Sequence, residues 1–204
     1  MTGLVTWRAD DGRGIEGTRL FMSGRGLRAL GRMVRAGDGA EDPAFTASYR
    51  LDAGDSGRVR RIAVTSATAG RERHLTLNRT DDGFWLIDTG SGTGRSDFKG
   101  AVDVDLAFSP MLNTLPIRRL DLHRSPGDHM IAVAFVSLPD LTVEVVEQRY
   151  RTVSMLTEGE WPGQATVEFA WDVFTAEIVV DAEGVVLSYP GVASRMPGPA
   201  AATL

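Results

Sequence analysis

The fold of this chain is decided by residues 103–120, which read DVDLAFSPMLNTLPIRRL. The first four residues alternate as a β-strand does, with two carboxylates on one face and apolar side chains on the other. Ser109-Pro110 is typical of a helix start, since serine caps the N-terminus and proline suits the first helical position. Pro116 disfavours helical geometry in the residue before it, so the sequence predicts a short helix over 109–115 and a strand from Ile117. Apolar residues surround most of this helix, which predicts that the sheet encloses it.

Charged side chains flank the predicted helix, and the role of each depends on the group with which it pairs. Asp103 and Asp105 repel each other on one strand face unless cations or hydrogen-bond donors face them. On a strand, Arg118 and Arg119 point to opposite faces, so one of them is expected to point inward. Arg149 is a further candidate partner. These residues either form internal ion pairs that fix the strand order, or line a cavity and bind a polar headgroup, or lie exposed on the surface.

The rest of the chain alternates extended runs with turns and predicts a mainly β fold. Residues 45–51 alternate apolar and polar side chains, as a half-buried strand does. The ambiguous run 26–35 is interpreted as a strand because its glycines weaken a helix. Such runs number about fourteen, at the spacing of a sandwich, barrel or roll. We predict one domain over residues 1–193, followed by a disordered C-terminal tail over 194–204.

Two glycine-rich segments resemble phosphate-binding motifs without having their context. Residues 12–17 match G-x-G-x-x-G, but a dinucleotide site needs a buried strand before the motif and a helix after it. Residues 89–96 form a loop whose backbone N–H groups can cradle an anion, but no P-loop lysine and threonine follow. Both segments are therefore interpreted as turns or loops.

Composition and charge exclude several classes of protein. With 27 acidic against 22 basic residues the net charge is -5, which gives no electrostatic reason to bind nucleic acid or an anionic membrane. The absence of cysteine excludes a disulfide framework and thiolate metal sites. The N-terminus lacks a signal-peptide pattern, and no apolar run reaches about 18 residues. We therefore predict a cytoplasmic protein with no membrane span, no metal site and no cofactor.

Residues 103–120 resemble the most specific stretch of the putative glycolipid-binding family, a bacterial group. That family carries a D-V-D-L block and then a segment close to P-F-T-N-T-L-P-I-R-R-L, which residues 103–106 and 110–120 match here. Further matches, which together span nearly the whole chain, lie at Trp7, Gly14, Glu16, Gly83, Trp85, residues 148–150, Asp181, Gly184 and residues 189–191. The chain departs from the pattern at Met111-Leu112, where phenylalanine and threonine are usual, and at Ser56-Gly57, which lacks a nearby tryptophan.

The resemblance implies a spiral β-roll, in which many antiparallel strands form a half-barrel around one short central helix. This fold is similar to that of the lipoprotein-localisation factors, and a homodimer is expected. The resemblance also implies a non-enzymatic protein that binds a lipid or glycolipid in an apolar cavity of the roll. Aliphatic side chains would solvate an acyl tail there, while polar residues meet the headgroup. The predicted ligand-binding residues are Asp103, Asp105, Asn113, Arg118, Arg119, Arg149 and Tyr150.

Two other functions stay open. One is a structural or interaction module in which the roll dimerises and its sheet edge recruits a protein. The other is a hydrolase acting on a lipid or sugar, for which Asp103 and Asp105 would be the carboxylate pair. Positions so close on one strand suit that chemistry poorly, since the two carboxyl groups must flank a bond. No nucleophile elbow accompanies the three histidines, so no catalytic residue is assigned.

Overall fold

A computed structural model describes residues 2–157 and 163–197, which form fifteen strands, one 3₁₀ turn and one α-helix. The strands, in chain order, are β1 (Thr2–Ala9), β2 (Gly14–Ser23), β3 (Gly26–Arg35), β4 (Phe45–Ala53), β5 (Val59–Thr68), β6 (Glu72–Arg79), β7 (Trp85–Asp88), β8 (Thr93–Ser96), β9 (Asp103–Leu106), β10 (Asp128–Val136), β11 (Val143–Ser154), β12 (Gln164–Trp171), β13 (Phe174–Asp181), β14 (Val186–Tyr189) and β15 (Ala193–Arg195). The helix α1 spans Pro110–Arg119, and the 3₁₀ turn spans Phe98–Gly100. The predicted mainly β fold with one helix is confirmed.

All fifteen strands belong to one sheet, and most of them pair with their neighbours in the chain. The order across the sheet runs from β8 down to β1, continues with β15, and then runs from β14 down to β9. Neighbouring strands are antiparallel except β9 and β10, which are parallel. β1 and β15 join an N-terminal and a C-terminal half through the pairing of Trp7 with Arg195. β8 and β9 remain as edges, so the sheet is an open roll and not a closed barrel.

The sheet coils back on itself at β5. The backbone N–H of Val59 in β5 donates a hydrogen bond to the carbonyl oxygen of Val102, just before β9, at 2.9 Å. The C-terminal edge of the sheet is thereby held against the N-terminal half. The strands surround α1 in this way, as the resemblance predicted.

Helix α1 ends four residues later than the sequence predicted. It continues through Pro116 to Arg119, and the N–H of Leu120 donates to the Pro116 carbonyl at 2.9 Å. The predicted strand from Ile117 is therefore wrong. Proline inside a helix costs about 3 kcal/mol, because it removes one hydrogen bond and crowds the preceding turn. Every residue from Pro110 to Arg118 is buried, and this burial outweighs the local preference against helix.

The enclosed helix joins two apolar clusters. Met111, Leu112 and Leu115 pack in a cluster that includes the inward side chains of β1 to β7. Ile117 packs in a second cluster with inward side chains of β11 to β14. Since the helix contacts both halves of the sheet, its burial stabilises the rolled form over a flat sheet.

The C-terminal boundary lies later than the sequence predicted. Ser194 and Arg195 were placed in a disordered tail, but they belong to β15, where Ser194 pairs with Arg8. The carboxylate of Asp181 also accepts a hydrogen bond from Arg195 at 2.7 Å. Pairing in the middle of the sheet orders these residues although they are near the end of the chain. The rest of the predicted tail, from residue 198, lies outside the described residues, and the single domain stays a prediction.

Candidate ligand-binding site

An apolar cleft of about 340 Å³ opens beside the start of α1. It lies between the loop that joins β9 to α1 and the strands β10, β12, β13 and β14. Six aromatic side chains line it: Phe108, Phe135, Phe169, Trp171, Phe174 and Tyr189. The polar side chains in the lining are Asp105, Ser109 and Asn113. An apolar cavity of this size with a few convergent polar groups is typical of a small-molecule site.

The aromatic wall follows from strand periodicity and hairpin register. Phe169 and Trp171 are two residues apart on β12, so they point to the same face of the sheet. The hairpin between β12 and β13 places Phe174 directly opposite Trp171. The ring centres of Phe135 and Trp171 are 4.8 Å apart, and those of Phe169 and Tyr189 are 5.6 Å apart. Ring pairs at these distances stabilise each other, so the wall is pre-formed.

Phe108 separates the cleft from a second, smaller cavity. Its φ of 65° lies in the left-handed region, which costs a residue with a Cβ roughly 1 kcal/mol or more. The Arg35 guanidinium lies 4.2 Å from the centre of its ring, and the Phe45 ring packs at 6.0 Å. The cavity behind it, also lined by Trp7 and Glu16, measures about 20 Å³, which is room for about one water molecule.

A hydrogen-bonded chain of polar groups closes one end of the aromatic cleft. The Asp105 carboxylate accepts a hydrogen bond from Gln148 Nε2 at 2.7 Å and another from the N–H of Leu106 at 2.8 Å. The Tyr150 hydroxyl lies 2.9 Å from Asn113 Oδ1 and 3.0 Å from Gln148 Oε1, and its one proton is donated to either acceptor. Burial raises the pKa of Asp105 to about 6, although its hydrogen-bond donors act in the opposite direction.

Glu16 forms a second buried polar cluster at the N-terminus of α1. Its Oε1 accepts hydrogen bonds from the hydroxyl groups of Tyr49 at 2.5 Å, Ser109 at 2.8 Å and Thr18 at 3.3 Å. Burial raises the pKa of Glu16 to about 7, and these donors offset only part of the effect. Ser109 is the N-cap residue of α1, so the cluster ties β2 and β4 to the start of the helix.

Three of the seven predicted ligand-binding residues lie at or next to the cleft. Asp105 and Asn113 line it. Tyr150 is buried behind Asn113 and hydrogen-bonded to it, so it orients the amide without facing the cleft. These residues come from β9, α1 and β11, which only the rolled sheet brings together.

Asp103 and Arg119 form a buried ion pair away from the cleft. Arg119 Nη2 lies 2.5 Å from Asp103 Oδ2, and Arg119 Nε lies 3.1 Å from the same oxygen. Burial raises the pKa of Asp103, and the guanidinium beside it acts in the opposite direction. This pair fixes the end of α1 against β9, which matches the interpretation of the charged residues as internal ion pairs.

The other two predicted arginines also serve contacts within the protein. Arg118 donates to the carbonyl of Gly24 at 2.6 Å and to the carbonyl of Glu183, so it connects turns from both halves of the sheet. Arg149 is half-exposed and pairs with Asp128 at 2.6 Å. Neither arginine lines the cleft.

The aromatic lining and the role of Glu16 were not predicted from the sequence. Phe169 and Trp171 alternate with alanine and acidic residues in the sequence, and this period, which is typical of a strand, was the available signal. Phe135 and Tyr189 are far from them in the sequence, and only strand order brings them to the cleft. Among the described residues, no group of three or more His, Asp and Glu side chains is placed to hold a metal ion. No helix in that part of the chain is long and apolar enough to cross a membrane.

The fold and the cleft define a class of protein: an open β-roll around one enclosed helix, with an aromatic cleft beside the helix start. The chain belongs to the family described as "Putative glycolipid-binding", whose model matches residues 4–195. This match confirms the resemblance found in residues 103–120.

A solved structure shares this fold. The crystal structure of a DUF1089 family protein from Pseudomonas aeruginosa is similar to this chain with a TM-score of 0.69 and 24% sequence identity. The similarity covers 90% of this chain and 92% of that chain. No curated protein matches the chain.

Proposed function

We propose that the protein binds a lipid or glycolipid without catalysis, and that an acyl chain occupies the aromatic cleft. The observation that carries this proposal is the cleft of about 340 Å³ with six aromatic rings in its wall and its polar groups at one end. Burial of an acyl chain there removes apolar surface from water on both partners. The family description supports a lipid-type ligand in general.

The polar end of the cleft is suited to the hydroxyl groups of a headgroup. Asp105 accepts hydrogen bonds, and Asn113 carries both an acceptor and donors. Gln148 and Tyr150 hold these two side chains in place, so the ligand meets a fixed set of partners. A sugar or glycerol hydroxyl that binds Asp105 would therefore lie at this polar end of the cleft, with the acyl chain along the rings.

The arrangement of the carboxylates favours binding over hydrolysis. Glycoside hydrolysis needs two carboxyl groups that flank the scissile bond. Asp105 lines the cleft, whereas the Asp103 carboxylate is paired with Arg119 and is not in the lining. The cytoplasmic location and the homodimer stay predictions.

Native mass spectrometry and fluorescence of the purified, delipidated protein test the proposal. We expect a fatty acid and a glycolipid of the same chain length to bind with one-to-one stoichiometry and to raise the melting temperature. Brominated acyl chains should quench Trp171, which lines the cleft, and the quenching should disappear in Trp171→Phe. The free sugar of the glycolipid should not bind without the chain.

Two variants separate cleft binding from binding elsewhere. Ala107→Trp fills the cleft and should abolish lipid binding, and Phe174→Ala should weaken it, because Phe174 is a half-exposed wall residue. Phe84→Ala is the matched control, since Phe84 lies in the turn before β7, where Arg95 stacks on its ring. Lipid binding that survives Ala107→Trp would contradict the assignment of the cleft.

A protein that stays empty with every lipid, while a protein partner binds its sheet edge, would favour the interaction module. Turnover of the glycolipid that Asp105→Asn abolishes in a folded protein would favour the hydrolase.

A further inference from the structure

The outward side of β1 to β4 carries arginines on three neighbouring rungs of the sheet. Each rung is a row of residues that pair directly across the four strands. The rungs read Leu4-Arg19-Leu30-Arg50, Thr6-Gly17-Arg32-Ser48 and Arg8-Ile15-Val34-Thr46. These twelve residues, named the arginine face here, include four arginines and no carboxylate.

The four arginines of this face have no ion-pair partner within the described part of the chain. Two carboxylates border the three rungs and have partners of their own. Asp52 pairs with Arg28 at 3.2 Å, and Asp10, two residues after Arg8, accepts hydrogen bonds from the Gly191 N–H and the Ser194 hydroxyl at 3.0 Å. The whole protein has a net charge of -5, so this uncompensated positive charge is a local feature. A patch of one sign attracts an oppositely charged partner even when the total charge of the protein does not.

The arginine face also exposes four aliphatic side chains. Leu4 is 76% exposed, Val34 61%, Ile15 51% and Leu30 43%. Single exposed aliphatic residues are normal, but these four lie together with three of the arginines on the first and third rungs. Gly17 has no side chain and leaves a shallow hollow of about 350 Å³ between the arginines. Cationic and aliphatic side chains mixed in this way are typical of surfaces that lie in the headgroup region of a bilayer.

We infer that the arginine face docks on an anionic lipid bilayer. The guanidinium groups would bind lipid phosphates, and the four aliphatic side chains would enter the apolar boundary beneath the headgroups. This inference goes beyond the proposed function, because it names the surface from which the protein would take up or deliver a lipid.

Two other occupants fit the face less well. In a two-fold symmetric dimer the same patch meets itself, so the arginines would face arginines without a compensating carboxylate. A single-stranded nucleic acid needs aromatic rings on which bases stack. The three rungs contain no aromatic residue, and Phe21, which lies next to them, is already covered by the Arg19 guanidinium at 4.7 Å.

Sedimentation with vesicles tests the inference. The full chain is mixed with vesicles of phosphatidylcholine alone or with a quarter of phosphatidylglycerol, at low and high salt. We expect binding to the anionic vesicles, weakened by salt, and no binding to phosphatidylcholine. Each arginine near an anionic surface strengthens binding about fivefold, so Arg32→Gln/Arg50→Gln should weaken it by about twentyfold or more. Leu4→Ser/Val34→Ser should also weaken it.

The matched control is Arg71→Gln/Lys99→Gln, which removes the same charge from exposed positions away from the face. It should bind vesicles within about twofold of the unmodified protein, since the patch is unchanged. Equal losses in both double variants would overturn the inference, as would equal binding to both kinds of vesicle or no binding to either. A dimer that dissociates in Arg32→Gln/Arg50→Gln, or a preference for a single-stranded oligonucleotide over vesicles, would overturn it too. Ala107→Trp should bind vesicles normally. Loss of lipid binding in the cleft and loss of vesicle binding by the arginine face are therefore distinguishable.

Discussion

Replacing Glu16 by glutamine should make the stability of the protein much less dependent on pH. The carboxylate of Glu16 is buried at the start of α1, where hydroxyl groups of Tyr49, Ser109 and Thr18 donate to it. Burial raises the pKa from its ordinary value of 4.5 to about 7. Glutamine keeps an oxygen acceptor in the same place and cannot ionise, so the variant isolates the effect of the charge.

The direction of this pH dependence follows from whether the folded or the unfolded chain binds the Glu16 proton more tightly. The folded chain holds the Glu16 proton up to about pH 7, whereas the unfolded chain releases it near pH 4.5. Between these values the folded state carries more protons, so the free energy of unfolding falls as pH rises. Each pKa unit corresponds to about 1.4 kcal/mol, which gives a total loss of about 3 kcal/mol from Glu16. Asp105, with its pKa raised to about 6, adds a loss of the same sign.

Urea unfolding at about pH 5 and about pH 8 measures how much the free energy of unfolding changes between the two pH values. The unmodified protein should be less stable at the higher pH. In Glu16→Gln the drop should shrink by up to about 3 kcal/mol, so the variant should be the more stable protein at pH 8. Glu41→Gln is the control, because Glu41 is an exposed glutamate in the loop before β4, and its pH dependence should match the unmodified protein. If Glu16→Gln kept the full drop, the buried Glu16 carboxylate would not be its source.

Two further predictions concern close packing between strands and the ion pair at the end of the helix. Gly31→Ala would place a Cβ 2.1 Å from Tyr49 Cε1, so the ring must move, and unfolding free energy should fall by about 1–3 kcal/mol. In the same assay Gly17→Ala should change the free energy of unfolding by less than about 1 kcal/mol, because the atom nearest to the added Cβ, Thr6 Oγ1, is 4.0 Å away. Asp103→Asn leaves the Arg119 guanidinium without its carboxylate and should cost about 3 kcal/mol or more by chemical denaturation. A second change, Arg119→Met, should restore part of that loss, and no restoration would contradict the buried ion pair.

Strands and hairpins were predictable from the sequence because they depend on neighbours in the chain. Residues 45–51 alternate apolar and polar side chains and form β4 as predicted. The run 26–35 was ambiguous between helix and strand, and it forms β3. Residues 12–17 match a dinucleotide motif only in pattern, and they form a turn and the start of β2. In each case the local period, the glycine content or the turn residues were sufficient.

The end of α1 was not predictable in the same way. Pro116 disfavours helical geometry at Leu115, and this is a local penalty that the sequence shows. The helix nevertheless continues through Pro116, because both halves of the sheet bury the residues that follow. That burial depends on contacts distant in sequence, which no local rule contains. The same error placed Arg118 and Arg119 on a strand, where they would point to opposite faces.

The candidate site was likewise predictable from the sequence only in part. Asp105 and Asn113 were predicted from residues 103–120, and both line the cleft. The aromatic wall was missed, because Phe135 and Tyr189 reach it from strands far apart in the chain. The net charge of -5 also gave no indication that one face of the sheet carries four arginines for which the described residues offer no ion-pair partner.

The sequence by itself determined the β-rich class, most of the strands, the start of the helix at Ser109 and the family. These depend on periodicity, turn residues and one distinctive block, all of which act over short distances along the chain. Only the tertiary structure decided where α1 ends, that Asp103 pairs with Arg119, and that an aromatic cleft opens beside Asp105. Each of these results from the order and register of strands around a buried helix. Packing between residues distant in the sequence sets that arrangement, and it outweighs local preference wherever the two disagree.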